Sequence, residues 1–359
     1  MMHAALGIWI LSAVICVGRG DHHYGHSQGD QNTGPEPSAA SLSLLNSANK
    51  QFSFELYSKL AAHIDSAGKN IFFSPISVSH ALAALSVGAR RMTHSQIFSG
   101  LGFNSTLLTQ EEVNQAFHKL LEETNSPSQK EVSEGTAVFI DNRLKPKPEF
   151  LETLKQSYFA EGFNVDFTQT AESADTINKY VEDKTNGKIK KLVEGLDPST
   201  VMYLISYIYY KGTWATPFDA MRTKEDIFNV DDNNKVACPD DEYGDQRYDV
   251  FIPKFSIKTS YTLNDVLISM GMTNMFSDLA DFSGISEGRK LAVSDVVHQA
   301  TLDVDEAGAT AAAATGIGIT LMSFQSIPVL KFNRPFMVTI VERITENILF
   351  LGKIINPEI

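Results

Sequence analysis

Three groups of residues have types and spacings that could do chemistry. Gly284-Ile285-Ser286-Glu287-Gly288 matches the Gly-x-Ser-x-Gly elbow that presents a nucleophilic serine between a strand and a helix. The residues ahead of it, Ser277-Asp278-Leu279-Ala280-Asp281, are polar and carry no strand pattern, so the match reads as a loop and a coincidence. His22, His23 and His26 have the side chains of metal ligands. They stand in a run rich in Gly, Ser, Gln and Pro, where solvated histidines are expected and no metal site is assigned. Asn104-Ser105-Thr106 is an N-glycosylation sequon, so Asn104 is the expected glycan acceptor of a secreted chain. The sequence holds no His-Glu-x-x-His and no Walker loop, and an enzyme is not expected.

A different kind of signal lies in Asp305-Glu306-Ala307-Gly308-Ala309-Thr310-Ala311-Ala312-Ala313-Ala314-Thr315. Ala has the best helix propensity, and such a run normally reads as a surface helix. Gly316-Ile317-Gly318-Ile319-Thr320 follows, with glycines and β-branched residues that break helices and favour extended chain. A stretch of tiny side chains next to an extended tail can lie in a loop or slide between two strands, because it brings almost no bulk to bury.

The elements that must hold these residues are legible in outline. Phe52, Leu56, Leu60 and Ile64 form a four-residue stripe over Asn46 to Ile64, which predicts an amphipathic helix. Phe72-Phe73-Ser74-Pro75-Ile76-Ser77 reads as a strand end followed by a helix start, with Ser74 as N-cap and Pro75 at the first helical position. His80 to Ala89 continues as a nearly all-apolar, buried helix. Gly135 to Ile140 predicts a strand and Phe150 to Tyr158 a helix, and Asn178 to Ile189 a helix closed by Gly187. Val201 to Tyr210 is a continuous apolar and aromatic run, the mark of a strand covered on both faces.

Residues 1–20 have the layout of a secretory signal peptide: an apolar run from Ala4 to Val17 followed by Gly18 and Gly20. The run is too short to span a bilayer, so no membrane partner is expected. Residues 21–44 form an expected flexible tail. Removal of the leader takes Cys16 with it and leaves Cys238 alone, so the fold must rest on its core and not on an internal disulfide. A hydrophobic content of 43% suffices for one large domain, residues 45–359. The net charge of −13 argues against nucleic-acid or heparin partners, and the Lys188, Lys190, Lys191 cluster reads as a solvated helix end.

Phe332-Asn333-Arg334-Pro335-Phe336 and Ile348-Leu349-Phe350-Leu351-Gly352-Lys353-Ile354-Ile355-Asn356-Pro357, together with the small-residue run, resemble the serpin family of serine protease inhibitors. The resemblance implies an α+β fold: a large, mostly antiparallel A sheet with surrounding helices and B and C sheets. It implies a monomer without cofactor, secreted, and a reactive-centre loop at about 306–327. Glu306, Gly308, Ala309, Thr310, Ala311, Ala312, Ala313, Ala314 and Thr315 would be its hinge. Ser74 and Ser77 match the shutter that supports sheet opening, His298 its histidine, and Trp214 the tryptophan of the sheet's upper end, the breach. Asn178 to Ile189 resembles the family's Asn-Trp-Val…Thr-x-Gly-Lys-Ile signature, with Tyr180 in the Trp position. Ser206 stands where relatives often carry Asn, which leaves one shutter hydrogen bond open. Counting by the family's spacing from Gly308 puts the scissile bond at Met322-Ser323; counting back from Lys331 puts it at Phe324-Gln325. Either bait is apolar and suits an elastase-like or chymotrypsin-like serine protease.

The resemblance has a gap. After the strand-like Ile227 to Val236, about fifty residues of the family pattern are absent. Cys238 to Arg247 stands there as a polar, acidic linker, and the pattern resumes at Tyr248. The B sheet is therefore expected to be incomplete. The C-terminal strands Phe336 to Val341 and Ile348 to Ile354 would then expose a long apolar edge, prone to aggregation, and Cys238 would be open to an intermolecular disulfide. Two readings follow: a suicide inhibitor of a serine protease, or a non-inhibitory ligand carrier or truncated isoform cleaved only as a substrate.

Overall fold

The computed structural model describes residues 11–17, 37–124, 132–210, 214, 218–231, 235–245, 248–287, 291–306, 329–342 and 345–358. In chain order its elements begin with β1 (Leu11–Val17), α1 (Ala39–Ala62), β2 (Ile71–Phe73), α2 (Pro75–Ser86), α3 (Arg91–Gly100) and α4 (Gln110–Thr124). Next come β3 (Val132–Asp141), α5 (Pro148–Tyr158), β4 (Glu161–Val165), α6 (Thr170–Lys184), β5 (Met202–Tyr210), β6 (Lys224–Asn229) and β7 (Lys235–Asp245). The chain ends with β8 (Tyr248–Pro253), β9 (Phe255–Thr262), α7 (Asn264–Ser269), β10 (Asp295–Val304), β11 (Val329–Lys331), β12 (Phe336–Glu342) and β13 (Ile348–Ile354).

Local chemistry explains the helix that matters most. Ser74 caps α2 by accepting a hydrogen bond from the Ser77 amide at 3.2 Å, and Pro75 fills the first helical position, where no amide is needed. Every residue of α2 is buried, Ser77, Ser79, His80 and Ser86 among them. The first helix is longer than its stripe suggests. Ser38 caps it through the Ser41 amide at 3.0 Å, so residues 39–44 are helix and not tail. Phe52, Leu56 and Leu60 are buried as expected, but Ile64 is 84% exposed. The helix stops at Ala62 and His63 is extended, which turns Ile64 out of the stripe.

Three sheets follow. The largest has the order β4-β3-β5-β10-β9, with β3/β5 and β9/β10 antiparallel and β3/β4 and β5/β10 parallel. Its centre is β5, all nine residues of which are buried. Tyr203, Ile205 and Tyr207 pack under α6 with Ile177 and Val181, while Leu204 and Ile208 join the main core with α2. A second sheet has the order β11-β8-β7-β6.

That second sheet corrects the reading of Cys238 to Arg247 as a linker. Up to Asp245 this stretch belongs to β7, antiparallel to both β6 and β8. Ile227 to Val236, read as one strand, is divided between β6 and β7. A position between two strands supplies hydrogen-bond partners on both edges, and that pairing overrides the poor strand propensity of Pro239, Asp240, Asp241 and Gly244.

The third sheet has the order β1-β12-β13-β2. The outer edge of β12, expected to be bare, is paired with β1 in parallel register from Leu11↔Phe336 to Val17↔Glu342. Phe336, Val338 and Ile340 of β12 are buried in the main core. Phe350 on β13 is fully buried, stacks on Phe72 at 5.0 Å and lies 5.7 Å from Tyr210, tying this sheet to β5. Phe350→Ala is expected to cost about 3–5 kcal/mol in urea unfolding, because it empties a site that cannot collapse. A loss below about 1 kcal/mol would contradict this placement of the core.

Candidate functional site

The parallel neighbours β5 and β10 meet over the N-terminus of α2, and the contacts there involve only buried side chains. Register places His298 beside Ser206. The Ser74 amide donates to His298 Nε2 at 3.0 Å, and His298 Nδ1 lies 3.1 Å from Ser206 Oγ. Ser206 Oγ is in turn 2.7 Å from Ser77 Oγ. A backbone amide can only donate, so Nε2 must be the acceptor and the proton of the neutral ring sits on Nδ1, where it donates to Ser206. The open question at Ser206 is thereby answered: a shorter side chain than Asn still closes the network.

Burial pushes the His298 pKa down to about 3, against which its hydrogen bond to Ser206 acts weakly. One side chain thus links β10 to β5 and to α2. Opening the strands at this point would strip a buried imidazole of its Ser206 partner.

The upper end of the same seam is held by other contacts. Trp214 Nε1 donates to the Asp305 carbonyl at 2.7 Å, with its ring edge-on to Phe218 at 5.2 Å. Tyr209 on β5 donates to Asp303 Oδ2 at 3.0 Å, and Ser256 on β9 donates to Asp303 Oδ1 at 2.5 Å. Glu306 receives Lys254 Nζ at 2.8 Å and Thr223 Oγ1 at 3.1 Å, and its carbonyl accepts the Phe218 amide at 2.9 Å. Burial acts to raise the Glu306 carboxyl, but the Lys254 and Thr223 hydrogen bonds outweigh it and hold the group below the usual carboxylate range.

Ser74, Ser77, His298, Trp214 and Glu306, chosen from sequence, are therefore brought to one seam. Gly308, Ala309, Thr310, Ala311, Ala312, Ala313, Ala314, Thr315, Met322, Ser323 and Phe324 lie outside the described residues, as do His22, His23 and His26. Glu306 is the last described residue at the seam, and the described chain resumes at Val329 in β11, beside β8. Tyr209, Thr223, Lys254, Ser256 and Asp303 were not singled out from sequence. Lys254 is 52 residues from Glu306, and the one available signal was the alternating strand Phe255–Thr262 that begins beside it.

The remaining sequence candidates lie elsewhere. Ser286 is buried in a turn with no strand leading into it. Asn104 is exposed between α3 and α4, and its Oδ1 accepts the Thr106 hydroxyl at 2.7 Å and the Thr106 amide at 3.0 Å. Lys188, Lys190 and Lys191 are exposed beyond α6. Among the described residues no helix is long and apolar enough to cross a membrane, and no three His, Cys, Asp or Glu side chains gather to hold a metal.

The model of one protein family, the serpins (serine protease inhibitors), matches residues 47–239 and 241–357. Hibernation-specific plasma protein HP-55 of Tamias sibiricus is 34% identical over 408 residues, covering 98% of this chain and 98% of its own length. Serpin A3-5 of Bos taurus is 38% identical over 371 residues, covering 87% of this chain and 89% of its own. Human thyroxine-binding globulin, solved with its thyroid ligand, superposes with a TM-score of 0.82 at 33% identity, over 89% of this chain and 100% of that one.

A pH dependence follows from His298. Between pH 6.5 and about 3 the unfolded histidine takes up a proton that the folded one refuses, so the unfolded state binds more protons and stability falls as pH falls. The contribution is complete above pH 6.5 and declines by up to about 1.4 kcal/mol per pH unit below it. In urea unfolding at pH 7.5 and 5.0, the stability gap between the natural chain and His298→Gln is expected to narrow toward the lower pH. Parallel pH curves would contradict the assignment.

Proposed function

The chain belongs to the serpin family, and from that premise we propose that it is a secreted inhibitor that traps a serine protease by loop insertion. The observation that carries the reading is the parallel pairing of β5 with β10 at the point from which the loop departs. A loop that folds back from Glu306 runs antiparallel to β10. It would also run antiparallel to β5, so entry between them exchanges one parallel ladder for two antiparallel ones.

The chemistry rests on the protease. Its serine attacks the carbonyl of Met322, the amine of Ser323 leaves, and Met322 remains as an ester on the enzyme. The freed segment from Ala309 to Leu321 then enters the seam and carries the protease with it. Strand side chains alternate faces, so every second residue must fit the interior, and Ala309, Ala311 and Ala313 are small and uncharged. His298 would give up Ser206 as the strands part, while the entering backbone offers new partners. Leu321, Met322 and Phe324 are apolar, which favours an elastase-like or chymotrypsin-like target over a trypsin-like one.

Secretion is supported by the apolar run ahead of Gly18 and by the plasma location that the name of HP-55 states for that relative. The hydroxyl-to-amide contact within the Asn104 sequon supports glycan acceptance there. An internal deletion is supported by alignment length: 408 aligned residues exceed the chain's 359, and the family match divides at residue 240. A second reading, a ligand carrier, is favoured by the likeness to a thyroxine-binding globulin. Small hinge residues weigh against it.

Incubation with neutrophil elastase is expected to give a covalent complex that survives a denaturing gel, and the released C-terminal peptide should begin at Ser323. Ala311→Arg is expected to abolish the complex by at least about ten-fold while cleavage continues, since a charge would have to enter the sheet. Cleavage of the natural chain with no complex would overturn the inhibitor reading.

A further inference from the structure

We propose that, once residues 1–20 are removed, the chain pairs with a second copy of itself along the outer edge of β12, with Val338 on the twofold axis. The proposal rests on the reading of those residues as a leader. In the full chain Leu11–Val17 covers that edge, and β13 holds the opposite one. Among the described residues no other strand pairs there. Loss of the leader therefore leaves a row of amides and carbonyls without partners, a template for an added strand.

The remaining sheet edges are guarded. β2 and β11 are three residues long, β4 opens on Glu161, β9 carries the exposed Lys258, and β6 carries Lys224, Glu225 and Asp226. Short or charged edges discourage pairing. Phe336 to Val341 has no charge, no Pro and no Gly.

This edge is its own complement. A twofold axis normal to the sheet sets two copies antiparallel and keeps both buried faces on one side. With Val338 on the axis, Phe336 stands opposite the second copy's Ile340, and Met337 opposite its Thr339. The buried residues Phe336, Val338 and Ile340 thus meet only buried residues. The same register brings Arg334, exposed just ahead of β12, toward the second copy's Glu342, once at each end. Glu342 is held in place by the Thr345 amide and hydroxyl, both 2.6 Å from its Oε2. Opposite charges at both ends favour this register over one centred on Thr339. The antiparallel ladder bonds at least as well as the parallel one it replaces.

The chain secreted from cultured cells is expected to lack residues 1–20 by intact mass and to sediment as a dimer at micromolar concentration. Physiological salt screens the like net charges. The full chain that keeps Leu11–Val17 is expected to stay monomeric. Directly opposed antiparallel residues have Cα atoms about 4.5–5.5 Å apart, within the span of a disulfide. Secreted chain carrying Cys238→Ser and Val338→Cys, oxidised with glutathione disulfide, should therefore link into dimers, and Cys238→Ser with Val341→Cys should not. Arg334→Glu is expected to weaken the dimer at least about ten-fold, and Arg334→Glu with Glu342→Arg to restore it. A secreted chain that is monomeric, equal linking at 338 and 341, or a full chain that dimerises as readily would overturn the proposal. A secreted mass that retains Leu11–Val17 would instead overturn the leader reading, and the chain made from residue 21 would then put the same edge to the same tests.

Discussion

The structure depends on the hydrogen-bonded contact between His298, Ser206 and the start of α2. Two parallel strands at the centre of a sheet need a helix or other crossover between them, and here 84 residues of chain separate the end of β5 from the start of β10. What keeps them adjacent is their ladder together with one imidazole that accepts from Ser74 and donates to Ser206. A hydrogen bond of this kind contributes about 1 kcal/mol net, but leaving such buried groups without partners costs about 1–3 kcal/mol each. The contact therefore resists separation of the two strands. Burial keeps the ring neutral, which this arrangement requires, since a proton on Nε2 would face the Ser74 amide.

The surroundings are arranged about that seam. Above it, Trp214, Tyr209, Asp303 and the Lys254–Glu306 pair fix the place where the chain turns out of β10. The half-exposed Lys254 makes this pair a solvent-accessible one, weaker than the contacts below it. Under α6, Tyr180 lies edge-on to Tyr207 and Phe163, and Asn178 binds the backbone of Leu192 and Val193 at 2.8 Å. This covers β3 and β5 on the face opposite α2. The seam is thus packed on both faces and tied at both ends.

Much of this was legible in the residues. Ser74-Pro75 marks a helix start by capping chemistry alone, and the unbroken apolar run at Val201 to Tyr210 marks a strand buried on both faces. His298 was not: a histidine in an apolar strand has no local feature that separates a network member from an ordinary core residue, and only the family resemblance singled it out. The acidic stretch of β7 was misread because its pairing comes from β6 and β8, which local propensity cannot register. Leu11 to Val17 illustrates the ambiguity of short apolar runs. Without periodicity they fit a leader and a strand equally, and the partner that decides, Phe336–Glu342, is more than 300 residues away in sequence.

The most direct test of the account is thermal unfolding of the chain before and after a single cut at the proposed reactive bond, Met322-Ser323. If β5 and β10 part to admit the freed segment, the cut chain gains a fully paired strand in its central sheet and melts several degrees or more above the intact one. A cut chain that melts at the same temperature as the intact one, or below it, would contradict the claim that this seam is built to open.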